Sequence, residues 1–143
     1  MKTIVKEKVF FYLIFAVLVL GGMFALQGCA AGSGNLDGTS WQLTSLGTTP
    51  LLPKVPVTLS FDGENAGGNA SCNSYFAAVS IKAETITFDG VGMTEMYCMD
   101  EGVMEQESAF LQALPGEHEY QLKDENLIIA LADGTALVFA PAE

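Results

Sequence analysis

Leu127-Ile128-Ile129-Ala130-Leu131-Ala132-Asp133-Gly134-Thr135-Ala136-Leu137-Val138-Phe139 sets two apolar segments on either side of an Asp-Gly pair. Leu127, Ile129 and Leu131 recur at every second position, as do Leu137 and Phe139, which is the period of a strand with one buried face. Asp133-Gly134 suits the positive φ values of a tight, two-residue turn. The segment therefore predicts a β-hairpin, and the fold class depends on whether the rest of the chain repeats this grammar.

It does so toward the N-terminus. Ile86 and Phe88 precede Asp89-Gly90, and Tyr75, Ala77, Val79 and Ile81 share one face of an earlier segment. Val57, Leu59 and Phe61 run into Asp62-Gly63, while Trp41 and Leu43 alternate in the first such stretch. One segment departs from period two: from Glu101 to Leu114, Val103, Phe110 and Leu114 share a helical face while Glu101, Glu105 and Gln112 can stay wet, and Pro115-Gly116 ends it. Six or more short strands with one helix predict an α+β, mostly β fold, a strongly curved antiparallel sheet or partial barrel packed with that helix.

The N-terminal part obeys a different solvent. Lys2, Lys6 and Lys8 precede the nearly unbroken apolar run Val9–Leu26, which ends in Leu26-Gln27-Gly28-Cys29. Charged, apolar and small-residue regions in that order mark a secretory signal, and the last four residues resemble a bacterial lipobox. The expectation is a signal peptide over 1–28, lipidation of Cys29, a flexible tether over 29–35 and one domain over 36–143. Ala30 in place of an aspartate favours the periplasmic face of the outer membrane if the source is Gram-negative.

After cleavage, Lys54, Lys82 and Lys123 face sixteen acids, a net charge of −13 with no arginine. Such a surface repels phosphate polymers and anionic headgroups, which argues against nucleic-acid binding and electrostatic membrane docking. The acyl chains on Cys29, palmitate among them, must then hold the membrane, each buried methylene contributing about 0.8 kcal/mol.

Lipidation of Cys29 leaves Cys72 and Cys98 as an even pair in an oxidising compartment, so a disulfide is expected between them. Gly67-Gly68-Asn69-Ala70-Ser71-Cys72-Asn73-Ser74-Tyr75 reads as a structural turn with a bulge or close backbone approach, since no lysine follows to complete a phosphate-binding loop. Met93, Met96, Met99 and Met104 surround Cys98, a thioether-rich set suited to Cu(I), although a disulfide at Cys98 removes its thiolate. Asp100, Glu101 and Glu105 could face a hard cation but read more simply as a solvated surface near a helix start. His118, the only histidine, sits between Glu117 and Glu119 with no nucleophile elbow nearby, and reads as an exposed loop residue. No catalytic residue, cofactor or enzyme activity is expected.

Four ordered motifs are similar to the META domain of HslJ-like bacterial envelope proteins: Gly38-Thr39-Ser40-Trp41-Gln42-Leu43, the glycine-rich run into Cys72-Asn73-Ser74-Tyr75, Met93-Thr94-Glu95-Met96-Tyr97-Cys98, and Glu107-Ser108-Ala109-Phe110-Leu111-Gln112-Ala113-Leu114. Trp41, Asn73 and Thr94 are the motif positions singled out. Ser71 stands where the family often has glycine, and Glu95 where it often has a basic residue. The resemblance implies a curved sheet packed with one helix, lipocalin-like in outline, and a loose link with envelope stress and antibiotic tolerance. The expected function is a non-enzymatic, lipid-anchored binding module whose partner is an envelope protein or a small apolar ligand on the concave face; copper handling through the methionines is the alternative.

Overall fold

In the computed structural model, residues 35–142 are described. The signal peptide, Cys29 and nearly all of the tether lie outside them. Eight strands follow one another in an up-and-down antiparallel barrel: β1 (Ser40–Leu46), β2 (Thr58–Asp62), β3 (Asn65–Asn69), β4 (Ser74–Lys82), β5 (Thr85–Met93), β6 (Gly116–Lys123), β7 (Asn126–Ala130) and β8 (Ala136–Pro141). The one helix among the described residues, α1 (Val103–Ala113), is inserted between β5 and β6. Pairing of β1 with β8 closes the barrel, so the expected curved sheet goes to full closure, although β6 pairs only with Thr85–Phe88 and leaves the Asp89–Met93 part of β5 without a strand partner on that side. No helix among the described residues is long and apolar enough to cross a membrane.

Alternation explains the interior. Leu59 and Phe61, Tyr75, Ala77 and Val79, Ile86 and Phe88, Leu127 and Ile129, and Leu137 and Phe139 all point inward and are buried. Eight strands make a bore that side chains just fill. Small and large residues sit side by side along its wall: Ala66 pairs with Ala77 on one side and Phe61 on the other. A concave face open to a ligand is therefore not what the barrel presents, because the interior is a packed core.

The C-terminal hairpin forms in the expected register, with Leu127 opposite Phe139 and Ile129 opposite Leu137. Its loop differs from expectation. Gly134 N–H donates to the Leu131 carbonyl (3.0 Å) and Leu131 N–H to the Thr135 carbonyl (2.9 Å), so Ala132-Asp133-Gly134 form a three-residue loop. Gly134 alone has positive φ there, at 84°, the form that combines a turn with a glycine bulge.

Asp89-Gly90 is also not a strand end. The register of β4 with β5 shifts between Phe76 and Ala78, and Gly90 has φ 60°; the pair forms a bulge through which β5 continues to Met93. Ile81 lies beyond the packed bore and is exposed. Of the glycine-rich run, Gly67, Gly68 and Asn69 end strand β3 and Ala70 to Asn73 make the expected turn into β4, and the close approach is real: a Cβ on Gly67 would stand 2.7 Å from the Tyr75 carbonyl oxygen, and one on Gly68 would collide with the Thr58 carbonyl.

The alternating strand directions give the barrel two unlike ends. At one, two-residue turns join Asp62 to Asn65, Lys82 to Thr85 and Lys123 to Asn126. At the other lie the long 47–57 loop, the 70–73 loop, the 131–135 hairpin loop and the 94–115 segment that carries α1. Val103, Phe110 and Leu114 face inward from α1 and its end as expected, and Phe110 meets Tyr75 edge-on at 5.2 Å between centroids.

Candidate functional site

The helix end is organised by two polar residues on the buried face of α1, Gln106 and Glu107, each only 2% exposed. Their place follows from period 3.6, since they fall between Val103 and Phe110. A buried carboxylate is tolerated only when its oxygens are well supplied with donors. Glu107 Oε2 accepts from the backbone N–H groups of Cys72 (3.1 Å) and Asn73 (2.6 Å), and Oε1 accepts from Asn73 Nδ2 (2.8 Å).

Asn73 passes the network on. Its Nδ2 also donates to the Met96 carbonyl (3.0 Å), while Oδ1 accepts from Thr94 Oγ1 and from Met96 N–H, both at 2.7 Å. Gln106 ties the other loops, with Nε2 donating to the Val55 carbonyl (3.0 Å) and to Ser71 Oγ (2.8 Å), and Oε1 accepting from Leu52 N–H (2.7 Å). The Cys72–Cys98 disulfide spans the same two loops as Asn73. No buried side-chain nitrogen or oxygen among the described residues lacks a partner.

Ser71 has φ 125°, in the region glycine favours. Here a serine takes the strain and its hydroxyl serves Gln106. Burial pushes the Tyr75 phenol well above its ordinary pKa, so it remains a donor, to the Thr58 carbonyl at 2.9 Å.

Of the singled-out motif positions, Asn73 and Thr94 are brought together with the disulfide, whereas Trp41 is not. Trp41 is buried toward the opposite end, its indole N–H donating to Thr39 Oγ1 at 2.7 Å. Glu107 and Gln106 were missed as functional positions; the signal for them was polar residues on an otherwise apolar helical face.

Met93, Met96 and Met99 are exposed together with Tyr97, the last two at 91% and 80% for Met99 and Tyr97. An open groove of about 450 Å³ runs between β5 and α1, lined in part by Val91, Met93, Met104, Leu111 and Pro115. Glu95 is exposed on the same loop. Asp100, Glu101 and Glu105 do not gather: no group of three or more His, Cys, Asp or Glu side chains among the described residues is arranged to hold a metal.

His118 is not a loop residue but lies in β6, half-buried. Nδ1 faces the Ala130 carbonyl at 3.2 Å and Nε2 the Leu114 carbonyl at 3.0 Å, and the ring packs near Phe88. Both nitrogens thus face backbone carbonyls, with neither turned toward a hydroxyl nucleophile.

A barrel closed by a helix that is pinned through Asn73, Thr94 and a Cys72–Cys98 bridge unites three of the four sequence motifs, and residues 34–143 match the META domain. The chain belongs to the META domain family. Among solved structures it is similar to a protein from Burkholderia xenovorans determined by NMR, at 29% identity over 75% of this chain and 83% of that one, with a TM-score of 0.62. A second NMR structure aligns at 22% identity over 73% of this chain and 90% of the other, with a TM-score of 0.60, a likeness of fold. No curated protein matches the chain.

Proposed function

We propose that this META domain is a non-enzymatic binding module, tethered by lipid on Cys29 to the bacterial cell envelope and acting in an envelope stress response or in antibiotic tolerance. The single observation that carries the binding reading is the contrast between a filled barrel and an exposed apolar loop, Met93 to Met99. Exposed large apolar side chains in a cluster mark interaction surfaces, and the packed interior turns the expectation of a small apolar ligand into that of a protein partner on the outside. The lipobox and the acidic mature chain support the anchor. If the source has an outer membrane, the module sits on its periplasmic face.

Two measurements test this. Mass spectrometry of the mature N-terminus should find acylated Cys29, and an intact Met1 would overturn the anchor. A photo-crosslinking residue at position 97, compared with one at position 84 in the turn at the other end, should capture protein in the native envelope from position 97 alone. No adduct from position 97 would overturn surface binding.

Copper handling remains the second reading, favoured by three exposed thioethers spaced three residues apart. The disulfide leaves Cys98 no thiolate to offer, so the thioethers would act alone. Titration with Cu(I) that leaves the spectrum and mass of both oxidised and reduced protein unchanged would remove it.

A further inference from the structure

We infer that the groove between β5 and α1, continued by the exposed loop Met93–Met99, receives a basic amphipathic helix of a partner protein; the inference rests on the surface-binding reading above. Three properties of the groove select that occupant. Its lining is mostly apolar, with Met93 and Met104 beside Val91, Leu111 and Pro115, and with Ser108 and Gln112 of α1 as polar members. Unbranched, polarizable methionine side chains repack around differing apolar partners, which suits a trough that accepts a row of side chains rather than one rigid molecule.

The second property is shape. The trough is open along α1 rather than enclosed, and Met93 leads directly into the loop where Met96, Tyr97 and Met99 stand in solvent. Apolar residues at positions i, i+3, i+4 and i+7 of a helix present a stripe that fits such an elongated surface.

Charge is the third. Between Val91 and Pro115 there is no lysine or arginine, while Glu95, Asp100, Glu101 and Glu105 are exposed. Glu105 borders the groove directly, sharing a shallow surface hollow with Met104, Ser108 and Gln112. Lys82 and Lys123 lie at the opposite end of the barrel. Lys54 belongs to the loop held by Gln106 and does not line the groove. An apolar trough bordered by Glu105, with Glu95, Asp100 and Glu101 exposed on the segment that leads into α1, complements an apolar stripe with a basic flank, and it repels an anionic lipid surface.

The probe is an 18-residue leucine–lysine amphipathic helix, with a leucine–glutamate version as its charge control. Binding is read by fluorescence anisotropy on the whole chain in neutral lipid nanodiscs, with empty nanodiscs as blank. The lysine helix should bind, and raising salt should weaken it. Met99→Gln combined with Met104→Gln should weaken binding about tenfold, and Glu101→Lys with Glu105→Lys should both weaken it and remove most of the salt dependence. An unchanged unfolding midpoint for each variant shows that the fold is intact. A photoreactive leucine in the probe should label residues between 91 and 111.

Equal binding of the glutamate helix, indifference to the four substitutions, or labelling elsewhere would overturn the inference. So would labelling of Tyr97 and Met99 by a photoreactive acyl chain in the nanodisc, which would give the surface to lipid. If position 97 captures a protein in the envelope while the lysine helix fails to bind, the partner chemistry is wrong and surface binding stands. If position 97 captures nothing, the underlying reading itself fails.

Discussion

The two ends of the barrel are built by different rules. At the turn end, strands are joined by the two residues Gly63-Glu64, Ala83-Glu84 and Asp124-Glu125, each a local decision of four consecutive residues. At the helix end, contacts join positions far apart in the chain: Glu107 reaches Asn73 across 34 positions, and Gln106 reaches Val55 across 51. The difference teaches that closure of the barrel and positioning of its exposed loop are separate tasks. The first is achieved by alternation and turns, the second by a bridge and a buried polar network.

The largest expected effect falls on the bridge. Replacing Cys72 and Cys98 together by alanine removes a cross-link over a sequence separation of 26, and the chain-entropy account gives a loss of about 3.5 kcal/mol. Urea unfolding measures it. A loss near zero would mean that the polar network alone holds the loop, and the two ends would then differ less than the bridge suggests.

Glu107→Gln comes next. The glutamine amide must set an NH2 group against one of the donors that Glu107 now accepts from, leaving a buried donor unpaired, at a cost of about 2 kcal/mol. The same change at exposed Glu84 or Glu125 of the turn end should stay within about 0.5 kcal/mol. Similar losses at both ends would break the comparison. In addition, Glu107→Gln should raise amide exchange in residues 94–98, because Met96 N–H and its carbonyl are both held through Asn73.

Backbone strain allows a finer contrast. Ser71 has φ 125° at the helix end, and Asp124 and Glu125 have φ 50° and 65° at the turn end. Where positive φ is the whole story, glycine should help: Glu125→Gly is expected to stabilise by about 0.5–1 kcal/mol, seen as a higher unfolding midpoint. Ser71→Gly removes strain but also the hydroxyl that receives Gln106 Nε2, so it should be close to neutral. Ser71→Ala, which keeps the strain and loses the hydroxyl, should be the worst of the three by about 1 kcal/mol.

Legibility in the sequence divides along the same line. Alternation placed Leu59, Phe61, Tyr75, Phe88, Leu127 and Phe139 on the core face because burial depends only on each residue's own strand. Asp62-Gly63 marked a true turn, whereas Asp89-Gly90 looked identical and is a bulge, since the same positive-φ glycine serves both and the partner strand decides. Closure was legible only as far as a partial barrel, because the pairing of Ser45 with Val138 and the register shift beside it depend on strands at opposite ends of the chain. The pairing of Cys72 with Cys98 followed from cysteine arithmetic, and Asn73 and Thr94 from the family motifs. What held them together did not: Glu107 was a letter in the helix motif until geometry gave it three donors.

The smallest effect concerns the 131–135 hairpin loop at the helix end, and it tests whether position in the barrel or mode of construction governs stability. Asp133 Oδ1 accepts from the Thr135 side-chain hydroxyl (2.7 Å) and backbone N–H (2.9 Å). These two bonds, the hydroxyl first, lower its pKa below the ordinary 3.8. A carboxylate whose folded pKa is depressed contributes stability that is complete above the unfolded value and is lost as pH falls through the folded one. The window therefore lies below about pH 4. Asp133→Asn should leave the unfolding midpoint nearly unchanged at neutral pH, since the side-chain carbonyl of asparagine can still accept, and should flatten the dependence of stability on pH within that window. The side chain is exposed and its partners lie two residues away, so the change should be as mild as those expected for the turn end. A large loss at neutral pH would instead tie this loop to the network around Glu107, and location would outweigh local construction.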